Sequence, residues 1–406
     1  MAGILDHPQA QRLLADATLS PQDVASCAGR LGRFLLPYLP LFKRSEQRRN
    51  LRILLEGKLS DLQRKTVEPI AIRARVPRKP LQHFLARGAW DHEPLLAQMR
   101  EEVARLWGAP HGVLTLDGSG FPKKGTESVG VARQWCGRLG KVDSCQVGVF
   151  LGYSCSQGHV LLDGRLCLPE EWVADKPRLD AAGVPEGTPF QESWRIALDL
   201  LERCKGVQHG WVTADDEFGR VQEFRAELRQ RGERYLVDVP SDTRMRDLEE
   251  APPVQEQRAG SLPKAPFETV AEWAARQPAS RWRRVAARPG EKGMLEAEAL
   301  TTRVQTTWEG SRLGPQERLL VRREEGGKQS WHLSNAGEEA GLEQMVRAKG
   351  AHHRVEQCFE EGKGEVGLDH CEVRSWKGWN SRMALSLLAL WFLGWERSRL
   401  GKGGRG

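Results

Sequence analysis

The sequence predicts an α/β protein: a mixed sheet with helices packed on it, preceded by a helical domain and interrupted by an insertion with little helix of its own. Three observations carry this. Up to about residue 108 the apolar residues recur at helical spacing. From residue 111 strand-like apolar runs begin, three in succession and then alternating with helices. Between 241 and about 328 seven prolines, numbers 252, 253, 263, 266, 278, 289 and 315, break that pattern before it resumes.

In order, Ser45 to Lys65 places Leu51, Leu54, Leu55, Leu59 and Leu62 at helical spacing, with Arg48, Arg49, Arg52, Lys58 and Arg64 interleaved. Ile72 to Pro80 is a basic turn, since its prolines cannot sit inside a helix. A helix over Glu93–Trp107 follows. A helix pair joined by a basic turn could grip DNA, and a solvated bundle accounts for it equally. His111–Asp117, Gln146–Tyr153 and His159–Leu168 read as strands, Ser193–Cys204 as a helix, and Gly210–Asp215 as a strand leading to a helix over Gly219–Arg231. Tyr235–Pro240 is a further strand. In the insertion, Ala299–Val304 and Leu319–Arg323 are strand candidates. Trp331–Asn335 returns as a strand, followed by a helix over Gly341–Lys363 and a core helix over Met383–Trp395. The domains are therefore 1–108, helical; 109–240, first part of the core; 241–328, insertion; 329–396, last part of the core; and 397–406, a basic, glycine-rich tail expected to be mobile.

The balance of 39% hydrophobic and 28% charged residues is that of a folded soluble chain. Lysine and arginine exceed aspartate and glutamate by 61 to 54, a net +7, which suits a polyanionic partner and equally an ordinary basic enzyme. The longest apolar run falls short of the roughly 20 residues of a membrane span, and the first seven residues lack the form of a secretory signal. Eight scattered cysteines form no Cys-x-x-Cys pair, which gives no sign of a zinc site or disulfide framework and fits reduced thiols in a cytosol.

Two of the strands end on a carboxylate, Asp117 before Gly118-Ser-Gly120 and Asp215 before Asp216-Glu-Phe-Gly219. Strand ends are where α/β sheets collect ligands, so the two acids make a candidate divalent-metal pair. Either alone is explained as well by a helix or turn cap. On the helix that follows, His352, Glu356, Glu360 and Lys363 fall on one polar stripe, with Val355, Phe359 and Gly362 on an adjacent face able to pack on a sheet. An acid with a lysine two turns later suits phosphodiester chemistry. A solvated face with ordinary ion pairs is the plain alternative.

These segments resemble the DDE transposases of bacterial insertion sequences. The match runs from about residue 40 to 395, through Leu116–Gly125, Gly140–Gly148, Thr213–Gly219 and, most strongly, Arg354–His370 with Glu372–Trp376. The resemblance implies a ribonuclease-H-like catalytic core with a β-rich insertion between the second and third acids. It implies Asp117, Asp215 and Glu356 as catalytic residues and ligands of two Mg²⁺ ions, with Mn²⁺ as substitute. Lys363 matches the basic end of the family's Tyr-Arg-Glu-Lys motif. Lys349 stands where its tyrosine is expected and His352 where its arginine is expected, and Arg354 could supply the missing cation. Lys123, Lys124, Lys141, His352, Arg354 and Lys363 are the expected DNA contacts. Trp282 and Trp308 of the insertion could stack on an unpaired base, although core packing explains them more simply. The implied activity is cutting transposon ends and joining them to target DNA. The implied partners are double-stranded DNA and a second copy in a paired-end complex, with no membrane, in a bacterial cytoplasm at the nucleoid. A catalytically silent DNA-binding descendant, a nuclease that only cuts, and a plain interaction module are the competing readings.

Overall fold

The computed structural model describes residues 22–23, 26–250, 267–290, 293–308, 312–324 and 326–400. The extreme N-terminus, prolines 252, 253, 263 and 266, and the end of the basic tail lie outside them.

Among the described residues, five α-helices come first: α1 (Cys27–Phe34), α2 (Ser45–Lys58), α3 (Val67–Ala74), α4 (Arg78–Ala86) and α5 (His92–Trp107). The break expected over Ile72–Pro80 is narrower than that. It falls at Arg75, which takes a left-handed conformation at φ 53° and ends α3. Pro80 lies in the first turn of α4, where a missing N–H costs nothing. Lys58, expected among the interleaved basic residues, is instead buried. Its Nζ donates to Ser386 Oγ (2.7 Å) and to the Val366 carbonyl (3.3 Å).

The sheet is built on β1 (Val113–Pro122), β2 (Ala132–Cys136), β3 (Lys141–Cys155), β4 (Gly158–Leu166), β5 (Trp211–Ala214) and β6 (Tyr235–Val239). Strands β4, β3 and β1 are antiparallel neighbours, and β5 and β6 continue the sheet parallel to β1. The order β4-β3-β1-β5-β6 is the ribonuclease-H-like mixed sheet that the resemblance implied. Between β4 and β5 run α6 (Glu170–Val173), α7 (Lys176–Ala182) and α8 (Ser193–Arg203). Between β5 and β6 run α9 (Asp216–Gly219) and α10 (Gln222–Gln230).

The stretch after β6 is β-rich, as expected. It holds β7 (Arg244–Asp247), β8 (Glu268–Thr269), the short α11 (Val270–Ala275), β9 (Arg283–Gly290), β10 (Gly293–Trp308) and β11 (Arg312–Arg323). These strands join the core sheet directly, because β12 (Gln329–Ser334) pairs with β11 on one side and β6 on the other. Trp282 is half-buried here, one face covered by the Arg323 guanidinium 4.0 Å from its ring centroid, in keeping with a packing role.

Two long helices close the chain, α12 (Leu342–Glu365) and α13 (Trp376–Arg399). Helix α13 is sunk in the main core, which runs without a break from Leu31 and Tyr38 through Leu114 and Phe150 to Leu387 and Trp391. The helical N-terminal region therefore shares one core with the sheet. Helix α12 lies against the sheet through the face read for that purpose. Val355 and Phe359 are buried, the Phe359 ring sits edge-on to Phe150 at 5.3 Å, and a Cβ on Gly152 would come within 2.4 Å of Val355. No helix among the described residues is long and apolar enough to cross a membrane.

Candidate active site

Asp117 and Asp215 are brought together by strand register. Strands β1 and β5 pair in parallel as far as Leu116 opposite Ala214, so the two aspartates occupy the next position on adjoining strands, which run about 4.8 Å apart. Asp117 does not end its strand, as the sequence led us to expect. It pairs with Phe150, and β1 continues antiparallel to β3 as far as Pro122 opposite Cys145. What ends at Asp117 is the partnership with β5, and that divergence opens the sheet beside the acid.

Asp215 caps the four-residue helix α9, accepting from the Glu217 N–H with Oδ1 (3.1 Å). The ordinary capping role is thus real, and the Phe218 N–H favours the charged carboxylate as well. Burial, then Glu217 and Asp216, push its carboxyl up to about 7. Asp117 is held well above the usual carboxylate range by burial first, then by Asp215 and Glu356; the Gly118 N–H and Lys349 pull the other way. The side chain is half-buried, and burial and the neighbouring acids act on its carboxyl in the same direction. Carboxylates crowded and desolvated in this way disfavour one another's charge.

Glu356 projects from α12 within electrostatic range of Asp117. It is exposed and hydrogen-bonded to His353 Nδ1 at 2.8 Å. No three His, Cys, Asp or Glu side chains among the described residues are gathered closely enough to hold a metal ion. The donor chemistry still fits a hard divalent cation, which takes carboxylate oxygens. Two acids stand at the same level of adjoining strands, and Glu356 lies within electrostatic range of the first.

Lys363 lies two turns beyond Glu356 and half-buried, its ammonium 5.5 Å from the Phe359 ring centroid. Burial and Arg138 push its pKa down, while Asp369 and Asp117 pull it back, so this cation is near the first acid. His352 is different. It is 8% exposed, its Nδ1 has no hydrogen-bond partner among the described residues, and burial together with Lys349 pushes it down to about 3. A neutral, buried ring cannot act as a surface contact to DNA, so that expectation is corrected. Arg354 lies about 200° round α12 from Glu356, at 100° per residue. It lines a cleft of about 650 Å³ with Arg234, Arg288 and Arg347 instead of facing the acids. Lys124 and Lys141 are exposed, Lys141 pairing with Asp143 at 2.9 Å. Lys123 is half-buried and donates to the Cys371 carbonyl.

The sequence reading missed Asp238 and its partners. Asp238 stands on β6, next to the strand of Asp215. It accepts from Lys349 Nζ through Oδ2 and from His332 Nδ1 through Oδ1, both at 2.7 Å. His332 is fully buried, and its Nε2 lies 2.9 Å from Ser330 Oγ. Burial pushes His332 down while Asp238 pulls it back up, and Lys349 also meets the charge on the acid. Burial also pushes Asp238 up, but His332, Lys349 and His352 outweigh it and hold the carboxyl well below the usual range. Lys349 thus ties the helix of Glu356 to the strand beside Asp215. The signal was present: an acid interrupts an otherwise apolar strand in Tyr235-Leu-Val-Asp-Val.

The DDE superfamily endonuclease family matches residues 37–294, which include Asp117 and Asp215 and stop before Glu356. A probable transposase for insertion sequence element IS701 from Microchaete diplosiphon is 28% identical over 229 residues. That stretch is 55% of this chain and 57% of the relative, so the match spans little more than half of the relative's length. Among solved structures, the piggyBac transposase synaptic complex with hairpin DNA aligns over 92% of this chain and 73% of that one, with 12% identity and a TM-score of 0.40. The family match alone takes in well over half of the 406 residues, and the chain belongs to the DDE superfamily endonucleases.

Proposed function

We propose that the protein is a DNA transposase that cuts transposon ends and joins them to target DNA, with Asp117, Asp215 and Glu356 as its catalytic acids. The observation that carries this is the placement of Asp117 and Asp215 on the same level of two diverging strands, faced by Glu356 from α12. The family and the probable transposase relative support it. Two Mg²⁺ ions, or Mn²⁺, would be held by these three acids, and when bound they supply the positive charge that an in-line phosphoryl transfer needs at the attacking and leaving oxygens.

The chain's own residues provide the rest. Register fixes the backbone positions of the first two acids on adjoining strands. The Asp238–Lys349 pair sets the height of α12, and with it Glu356, against the sheet. Lys363 offers a cation beside Asp117 where the scissile phosphate would lie. In the first step water adds to phosphorus and the 3′ oxygen leaves with a proton. In the second, that 3′-hydroxyl attacks a phosphodiester of the target, forming a new P–O bond as the target's own 3′ oxygen leaves and takes up the proton. Lys124 and Lys141 are exposed and would meet the DNA backbone. The partners are double-stranded DNA and a second copy of the chain in a paired-end complex, in the bacterial cytoplasm at the nucleoid.

The test is Mg²⁺- or Mn²⁺-dependent cleavage of DNA carrying the element's flanking inverted repeats, with Glu356→Gln alongside. The wild-type protein should cut at the repeat ends, and the variant should lose about 10²–10³-fold in rate. Specific binding without cleavage by either protein would replace this reading with that of a silent DNA-binding descendant.

A further inference from the structure

Helix α12 lies across the sheet, packing on β9, β5, β1, β3 and β4, and Glu356 faces the other acids from one side of it only. On another side lies the cleft of about 650 Å³ that Arg354 lines. Val113 and Trp211, which start the paired strands β1 and β5, line it too. Asp117 and Asp215 stand four residues further along those strands. Side chains alternate along a strand, so cleft and acids share one face of the sheet, about 13 Å apart.

The cleft gathers one sign of charge. Arg347 and Arg354, seven residues apart, share a face of α12. Strand β9 brings Arg288, held close because a Cβ on Gly350 would come within 2.2 Å of the Ala287 carbonyl oxygen. Arg234, just before β6, is the fourth guanidinium, and no carboxylate lines the cleft among the described residues. Arg234 is already engaged: it donates to the exposed Glu339 (3.1 Å) and lies 5.4 Å from the Trp211 ring centroid. Arg347 is exposed and Arg288 half-buried, and neither makes a side-chain hydrogen bond or ion pair with a described residue. Burial pushes Arg354 down, Cys358, Cys155 and Glu361 pull it back, and Arg288 adds to the push.

This chemistry selects a phosphate. Guanidinium forks match phosphate oxygens in pairs, and two of them here have no anion from the chain itself. Trp211, the only Phe, Tyr or Trp in the lining, is 4% exposed and shares its place with Arg234, which leaves no such ring open for a base to stack on. We propose that the cleft is a second DNA-contact site, in which Arg288 and Arg347 hold backbone phosphates away from the acids. This rests on the transposase reading, which makes DNA the source of the phosphate; a free phosphate has the same chemistry and is separated from it by experiment.

The full chain carrying Glu356→Gln is titrated over a range of salt with a duplex bearing the element's inverted-repeat end, and with a scrambled duplex. Adding Arg347→Ala should lower the slope of log affinity against log salt by about one, and Arg288→Ala with it by about two. Affinity at a fixed salt should fall about tenfold in the double variant, and equally on both duplexes, because backbone and not base is held. Arg347→Lys should keep the slope. Neither arginine is ion-paired, so the variants should melt with the parent. An unchanged slope in the double variant would overturn the site and leave the transposase reading standing. If the slope is unchanged while inorganic pyrophosphate raises the melting temperature of the parent and not of the double variant, the cleft holds free phosphate, and its assignment to DNA is overturned. A parent with no preference for the end duplex, its slope still reduced by the substitutions, would count against the transposase reading and for the cleft.

Discussion

Asp163 on β4 is buried and Asp117 on β1 half-buried, two strands apart in one sheet, and their surroundings are opposite. Asp163 Oδ2 accepts from Arg100 Nη1 (2.7 Å) and Arg203 Nε (2.9 Å), and Oδ1 accepts from the Gly164 N–H (2.8 Å). Burial still pushes its carboxyl up, but Arg100 and Arg165 pull it back. Asp117 has Asp215 and Glu356 for neighbours, which push the same way as burial does. A buried acid that has found its cations is part of the scaffold. A buried acid placed among other acids stores repulsion that only a cation from outside can relieve, and such groups mark functional sites.

The contrast is broken most directly by deleting each acid. Asp163→Ala should destabilise the protein by about 3 kcal/mol in chemical denaturation, the low end for a severed buried pair, because Arg203 can turn partly to water. Asp117→Asn should leave stability unchanged or slightly raised, since it removes like-charge repulsion, while DNA cleavage falls about 10²–10³-fold. Equal destabilisation by both substitutions would mean that the two acids are doing the same structural task.

Much of this was legible in the sequence. Asp117, Asp215 and Glu356 stood out because two apolar strands ran into carboxylates and a helix carried an acid and a lysine seven residues apart. The ladder of β1 was misjudged at its end: the strand was read as His111–Asp117, yet Gly118 and Gly120 pair with Val149 and Val147 on β3. Strand pairing depends on partners far along the chain, which local patterning does not reveal. The burial of Lys58 has the same cause: its partners Ser386 and Val366 lie more than 300 residues away. His352 was placed on the polar stripe by helical spacing alone. Spacing fixes the side of a helix and not what covers it, and here β6 and β12 bring Asp238 and His332 over that side.

The Asp238–Lys349 pair lies between the two extremes, an acid near the site that has found its cation. Its carboxyl is held below the usual range, so the stabilisation it contributes is complete above the ordinary carboxylate pKa of about 4 and is lost as pH falls below that. Stability followed from pH 6 to 3 should therefore fall more steeply in the wild type than in Asp238→Asn. Parallel curves would show that Asp238 contributes nothing through its charge. If the pair also positions α12, Lys349→Met should lower the cleavage rate while leaving DNA affinity within about threefold.

The smallest effect expected sits beside the largest. A Cβ on Gly118 would meet only Glu217 Oε2, at 3.5 Å, an ordinary contact. The residue next to the first acid therefore faces open space on the side away from the sheet, whereas the cluster around Asp163 is closed. Gly118→Ala should change stability by no more than about 0.5 kcal/mol. If the open space is where the scissile strand lies, the added methyl should raise KM for DNA while melting is unaffected. A loss of stability above about 1.5 kcal/mol would mean that the sheet is as tightly closed at Asp117 as at Asp163, and the comparison between the two acids would then rest on charge alone.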